Sequence, residues 1–288
     1  MRAVRILYLS LAGLVACGPS NRDGNQPDAS SPDAAPTHDG SPAVDSSRVY
    51  AHSGSTLFRI DTQNLGTVQI GAMTGLGTQS LTDLAIDKDD HMVGITLDKI
   101  YTIDATTGAV TLIKDLSQNA QNLTSLSYVP TDLNDPNSAD ILVSATSAGA
   151  VFQIDPSSGM ATQLGSYGTV PGGRVGSSGD IVAVRGLGIY ATVDVTADPA
   201  HPDMNAPDFL AVIDPATWTA TPIGTGTGFN NIFGLGYWAG KFYGFVDDKT
   251  AHMGRIIEID PNTGNGTEIL AGAQEWYGAG VTTAAPIQ

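Results

Sequence analysis

Seven residues in two stretches carry side chains that a cation could use: Asp198, His201, Asp203 and Asp208 in "DVTADPAHPDMNAPD" (194–208), and Asp247, Asp248 and His252 in "DDKTAHMG" (247–254). Their spacing matches no known metal motif, and solvated acidic loops account for both stretches. Long loops inside compact domains are nonetheless often functional. Catalytic patterns are absent: there is no GxSxG, HExxH or GxxxxGK[ST], and no HxE followed by CxxC. "GTVPGGRVGSSG" (168–179) is Gly-rich but lacks the Lys and following helix of a phosphate loop, so it reads as an extended connection.

A second set of side chains suits hydrogen bonding rather than catalysis. Gln79-Ser80, Gln121-Asn122, Asn230-Asn231 and Gln274-Glu275 form four amide-rich pairs, with Arg174 in the stretch that lacks one. Such groups donate and accept in the way a sugar or a peptide backbone requires. They also suit the capping of strands or the holding of internal water. "DKDDH" (87–91) and "DLNDPNSAD" (132–140) faintly resemble calcium loops but lack the Gly at position six and the Glu at position twelve of an EF-hand, so both read as turns. His52 and His91 read as surface residues, and His38 as a solvated one.

What positions these groups is a repeat. An Ile-Asp pair returns at Ile60-Asp61, Ile103-Asp104, Ile154-Asp155, Ile213-Asp214 and Ile259-Asp260, with spacings of 43, 51, 59 and 46 residues, a period expected of propeller blades. A short apolar run precedes each pair, and a turn followed by alternating residues comes after it, as in "VFQIDPSSGMATQLG". The Asp is a turn former: it bonds backbone amides two positions on, while the nearby Gly accepts the left-handed conformation. Two further candidate strands lie upstream of each pair, as in "LTDLAID" and "MVGIT", giving four strands per unit. Pro222 in "TATPIG" falls on an outermost strand, where a missing N–H does no harm.

The two ends complete one another. "WYGAGVTT" supplies the inner strand of a blade whose other strands are "RVYAHS", "LFRID" and "TVQIG", so the expectation is an all-β, five-bladed propeller of four-stranded blades. An opened-out six-bladed ring or a sandwich is the alternative. In this frame the four amide pairs and Arg174 stand before inner strands on one face, called the top, together with the two long acidic loops.

The chain has 13 Lys plus Arg against 29 Asp plus Glu, a net charge of -16, and no basic cluster to release phosphate counterions, which excludes a nucleic-acid partner. The start, "MRAVRILYLSLAGLVAC", has a basic flank and a short apolar run, the layout of a signal peptide over residues 1–16. Leu14 to Cys17 resembles the bacterial lipobox, which implies acylation of Cys17, the one cysteine in the chain. Several acyl chains anchor firmly where one does not. Gly18 rather than Asp after the Cys points to the outer membrane of a bacterial envelope, periplasmic or surface-exposed. Residues 17–47 hold the lipidated Cys and a Pro/Ser/Asp/Ala linker too poor in apolar groups to fold, leaving 48–288 for the propeller.

Over nearly all of residues 48 to 285 the chain resembles bacterial propellers with "LYxIDPxTGxxTxIG" repeats, akin to NHL, gluconolactonase-like and YVTN propellers. The family holds enzymes and binding scaffolds alike, so fold alone does not assign function. The expected function is a lipid-anchored scaffold binding a protein, peptide or glycan at its top face, without a catalytic residue or cofactor. The alternative implied by the resemblance is a cation-dependent hydrolase or lactonase with its site in the channel, for which Glu275 and Asn122 are the counterparts of the family's metal-binding set.

Overall fold

A computed structural model describes residues 47–283 apart from 119, 198–202 and 204; the leader, Cys17 and nearly all of the linker fall outside the described residues. The five repeated aspartates act as their local chemistry requires. Asp61, Asp104, Asp155, Asp214 and Asp260 each accept, through Oδ1 at 2.8 Å, the backbone N–H two residues on. Four residues after each Asp the backbone turns left-handed, at φ 60° for Leu65, 78° for Gly108, 69° for Gly159, 63° for Trp218 and 75° for Gly264. Glycine adopts that conformation without a Cβ clash. The Asp155 carboxyl, bonded by the Ser157 hydroxyl and backbone N–H, falls to about 2, because these bonds favour its charged form.

Between such turns the chain forms antiparallel strands. The first blade takes β1 (Val49–His52), β2 (Thr56–Ile60) and β3 (Thr67–Ala72); the second takes β4 (Asp83–Ile86), β5 (Met92–Ile95), β6 (Lys99–Ile103) and β7 (Val110–Asp115). The third has β8 (Ser127–Pro130), β9 (Asp140–Ala145), β10 (Ala150–Ile154) and β11 (Ala161–Ser166). In the fourth, β12 (Thr169–Val170) precedes β13 (Gly173–Val184), β14 (Gly188–Thr196), β15 (Phe209–Ile213) and β16 (Ala220–Pro222). The fifth has β17 (Ile232–Trp238), β18 (Lys241–Asp248), β19 (Met253–Ile259) and β20 (Gly266–Gly272), and β21 (Gly278–Val281) then joins the first blade. Pro222 ends the edge strand β16, opposite Ala211.

The protein is a five-bladed β-propeller. β21 pairs with β1 in register Val49↔Val281 to His52↔Gly278, giving the sheet order β21-β1-β2-β3 and closing the ring between the two ends of the folded region. Inner strands pack in the cycle β4, β8, β13, β17, β21 and back to β4. Five apolar clusters form the core, and each draws on two neighbouring blades. The cluster at the closure sets Phe58 of the first blade and Phe245 of the fifth edge-on to Trp276, at centroid distances of 5.6 and 5.8 Å. Burial of these large rings stabilises the joint, and the paired β1–β21 edges leave no open sheet edge inside the ring.

The Gly-rich stretch 168–179 departs from its expected reading as an extended connection. It forms β12 and the first half of β13, a strand with a register shift between Ser177 and Ile181. The glycines permit close approach: a Cβ on Gly176 would lie 2.3 Å from the Ser147 carbonyl oxygen, and one on Gly179 would lie 2.0 Å from that of Ile232. Neighbouring blades therefore press directly against this strand.

Candidate binding site

The long β13 carries side chains to two places. Arg174, Ser177 and Ser178 near its beginning line a cleft on the top face, whereas Asp180, Ile181 and Val182 border the axial space between the inner strands. The cleft has a volume of about 710 Å³ and lies among three blades. Thr124 and Ser147 line it from the third, Arg174 and Asp194 from the fourth, and Asn230, Asn231 and Phe233 from the segment that opens the fifth.

Asp194 sits on β14 opposite Gly176. Its Oδ2 accepts a 2.6 Å bond from the Thr196 hydroxyl, while Oδ1 is buried without a partner. Arg174 Nε is likewise buried and unbonded. Asp208 ends the connection from β14 to β15 and ties it to the fifth blade: Oδ2 accepts the Ile232 N–H at 2.8 Å, and its backbone N–H donates to the Phe229 carbonyl at 2.7 Å. Burial pushes the Asp208 carboxyl up to about 7; the Ile232 N–H opposes the rise and the nearby Asp194 charge adds to it. Asp208 is only 5% exposed, which corrects its reading as part of a solvated loop.

Of the eight residues proposed for ligand binding, Arg174, Asn230 and Asn231 line this cleft, and the other five do not. Gln79 is held within the second blade, accepting from the Tyr101 hydroxyl at 3.2 Å and donating to Asp98 at 3.5 Å. The Gln121 amide donates to the Ser117 carbonyl. Asn122, left-handed at φ 59°, accepts the Ser147 N–H on its own carbonyl at 3.3 Å, so it supports the rim. Gln274 donates to the Glu275 carbonyl at 3.1 Å, and the Glu275 carboxylate faces His252 Nδ1 at 3.4 Å.

The remaining acidic residues disperse. Asp203 lines the cleft, Asp247 is buried with Oδ1 unbonded, and Asp248 pairs with Arg255. Asp198 and His201 lie outside the described residues. Among the described residues, no three or more His, Cys, Asp or Glu side chains stand together in a metal-holding arrangement. On the opposite face the loop 132–140 surrounds a guanidinium: Arg185 donates to the Asp135 carbonyl and the Ser138 hydroxyl, each at 2.7 Å, and to Asp140 at 2.8 Å. Asp87 folds the 87–91 turn by accepting the N–H groups of Asp89 and His91, and exposed His91 pairs with it at 2.9 Å.

His52 is fully buried, correcting its surface reading. Nδ1 lies 2.8 Å from the Ser53 carbonyl, which makes it the protonated nitrogen, and Nε2 is buried without a partner. Burial lowers its pKa to about 4. Sequence reasoning missed Asp83 and Asp180, both fully buried on inner strands. Asp83 accepts the N–H groups of Leu84 at 2.8 Å and Leu126 at 2.7 Å; Asp180 accepts those of Ile181 at 2.6 Å and Leu235 at 2.9 Å. Each acid thus staples its own blade to the next. Burial raises both carboxyls well above the usual range, and for Asp83 the Asp180 charge raises it further. A single Asp inside an otherwise apolar inner strand, as in "LTDLAID" and "SGDIVAV", was the available signal.

No family model matches the chain, and no curated protein matches it by sequence. Solved structures resemble it at low identity. An auxiliary nutrient binding protein from Bacteroides thetaiotaomicron aligns with 13% identity and a TM-score of 0.46, over 80% of this chain and 58% of that one. A protein of unknown function from the same organism aligns with 15% identity and a TM-score of 0.43, over 68% and 53%. The extracellular domain of a protein assigned to a hybrid two component system, also from that organism, aligns with 12% identity and a TM-score of 0.40, over 78% and 26%. The chain therefore spans between about a quarter and three-fifths of the length of these structures.

Proposed function

We propose that this chain is a bacterial envelope lipoprotein, anchored through acylated Cys17 in the outer membrane, whose propeller binds a protein, peptide or glycan in its top cleft. The observation that carries the binding reading is the pairing of room with a polar lining. The cleft of about 710 Å³ falls within the range of small-ligand sites, about 300–1,000 Å³. Its wall carries Arg174, Ser177, Ser178, Asp194, Asn230 and Asn231, whose side chains are the donors and acceptors that a sugar or a peptide backbone requires.

Screening the purified protein on glycan and peptide arrays tests this reading. Binding should be lost on Arg174→Ala or Asn231→Ala and kept on Gln79→Ala, because Gln79 is bonded inside its own blade. A ligand indifferent to both cleft substitutions would place recognition elsewhere and end the proposal. Mass spectrometry of the mature protein tests the anchor separately: removal of residues 1–16 and an acylated Cys17 are expected, and an intact leader or bare thiol refutes it.

A further inference from the structure

Five inner strands or their leading residues bring one position each to a common level of the axis. Asp83 accepts the Leu126 N–H next to Ser125, Asp180 accepts the Leu235 N–H next to Gly234, and a Cβ on Gly278 would stand 2.6 Å from Asp83 Oδ1. A Cβ on Gly234 would lie 2.7 Å from the Ala279 nitrogen, next to Gly278, which completes the circle. Two of these five residues are glycines, and the Ser125 hydroxyl is occupied in accepting the Ala145 N–H at 2.8 Å. The centre is left to the two carboxyls, one from the second blade and one from the fourth. There they hydrogen-bond one another, side chain to side chain. A carboxylate carries no donor, so two carboxyls can bond only when one of them holds a proton. No cation keeps either acid ionised: among the described residues no Lys, Arg or His forms an ion pair with Asp83 or Asp180.

We infer that Asp83 and Asp180 share a single proton in one carboxyl–carboxylate hydrogen bond across the axis, a clasp between the second and fourth blades that opens when the proton is lost. Two other titratable side chains face the pair. His52 of β1 directs its bare Nε2 to within 2.5 Å of the same Cβ position on Gly278, and Tyr167, between β11 and β12, has its hydroxyl pushed up by burial and by the Asp180 charge. Both are neutral near pH 7, so neither supplies a counter-charge. Burial raises both acids above the ordinary carboxylate range. A raised folded value means that the clasp's contribution is complete below the unfolded value of about 4 and is lost as pH rises through the folded one. The clasp is independent of whatever the cleft binds, yet it fixes Asp180 on β13, the strand whose beginning lines that cleft.

Infrared difference spectroscopy on the purified protein at pH 7, reading the carbonyl stretch of a protonated carboxyl, tests the inference. Subtracting the spectrum of Asp83→Asn should reveal one such band, and subtracting that of Asp180→Asn should reveal a band of equal intensity, since either substitution removes the shared proton. The double variant should remove no more. No band in either difference means two ionised acids, and bands that add in the double variant mean two separate protons; each result overturns the clasp. The pH dependence is read in Asp208→Asn, which removes the other carboxyl that titrates at about 7. Its urea midpoint should fall from pH 6 to pH 10, and adding Asp83→Asn, whose amide donates to Asp180 at any pH, should flatten the fall; equal slopes overturn the inference. If the variants fail to fold, an assigned carbon-detected titration of the unaltered protein decides: Asp83 and Asp180 should keep one proton between them above the ordinary carboxylate range, and two ordinary titrations refute it.

Discussion

In the axial channel, Asp83 and Asp180 use both carboxyl oxygens on backbone N–H groups, one in their own strand and one in the next blade. In the top cleft, Asp194 uses one oxygen on Thr196 and leaves the other bare. The two regions are built from the same residue type, and both draw on β13, only a few residues apart. What separates them is whether the chain itself supplies the partners. Groups whose partners are internal hold the ring together; groups whose partners are missing are available to a ligand. Asp208 stands between the two cases, with one oxygen on the Ile232 N–H and its side chain on the cleft wall.

The comparison breaks most readily in the channel. Asp180→Ala should orphan the N–H groups of Ile181 and Leu235 at a cost of about 2–6 kcal/mol, at 1–3 kcal/mol for each buried donor, read as a lowered midpoint in urea. A stable Asp180→Ala protein would show that the channel acids are not staples. The next effect belongs to Asp208. Its folded pKa is raised to about 7, so the stability it contributes is complete below the unfolded value near 4 and is lost as pH rises through about 7. Asp208→Asn, which keeps an acceptor for Ile232, should therefore gain up to about 4 kcal/mol at pH 8 and little at pH 4, measured by denaturant titration at both.

His52 carries the opposite sign. Its folded pKa is lowered to about 4, so its stability is complete above about pH 6.5 and declines as pH falls toward 4, by about 3 kcal/mol in all. His52→Gln should flatten that part of the stability profile. A carbon-detected titration that finds His52 protonating near 6.5 in the folded state would contradict its burial. Smaller still, Arg174→Ala should change stability by no more than about 1 kcal/mol while removing ligand binding, since the guanidinium has no ion-pair partner among the described residues. A large loss of stability there would make the cleft a structural joint like the channel. Finally, the turn carboxyl of Asp155 should titrate at about 2 by NMR, and replacing Ser157 with Ala should raise it toward the ordinary value.

Much of the architecture was legible in the sequence because the repeat is local chemistry written five times. An Asp that bonds the amide two positions on and a residue that turns left-handed four positions on need only a short segment to act, and apolar runs on either side read as strands. Ring closure was legible as well, since β21 and β1 complete a blade that neither end contains alone. The site was legible only in part. Of the residues picked by their place before inner strands, Arg174, Asn230 and Asn231 line the cleft, whereas the side chains of Gln79 and Gln274 turn back into their own surroundings. Asp83 and Asp180 stand out as acids within apolar inner strands, but neither they nor Asp194 carry any local sign of which groups face them.

Segment by segment, the order of residues determined the turns, the strands of the repeat, the number of blades and their closure into a ring, since each depends on contacts a few residues apart or on one repeated pattern; the extra strand β12 of the fourth blade was not among them. The tertiary structure alone decided which polar groups are spent within the chain and which stay open. Leu126 lies 43 residues from Asp83 and Leu235 lies 55 from Asp180, so whether each carboxyl finds its second N–H depends on how the blades come together. A buried polar atom is satisfied or bare only relative to its neighbours in space, and those neighbours are set by the packing of one blade against the next.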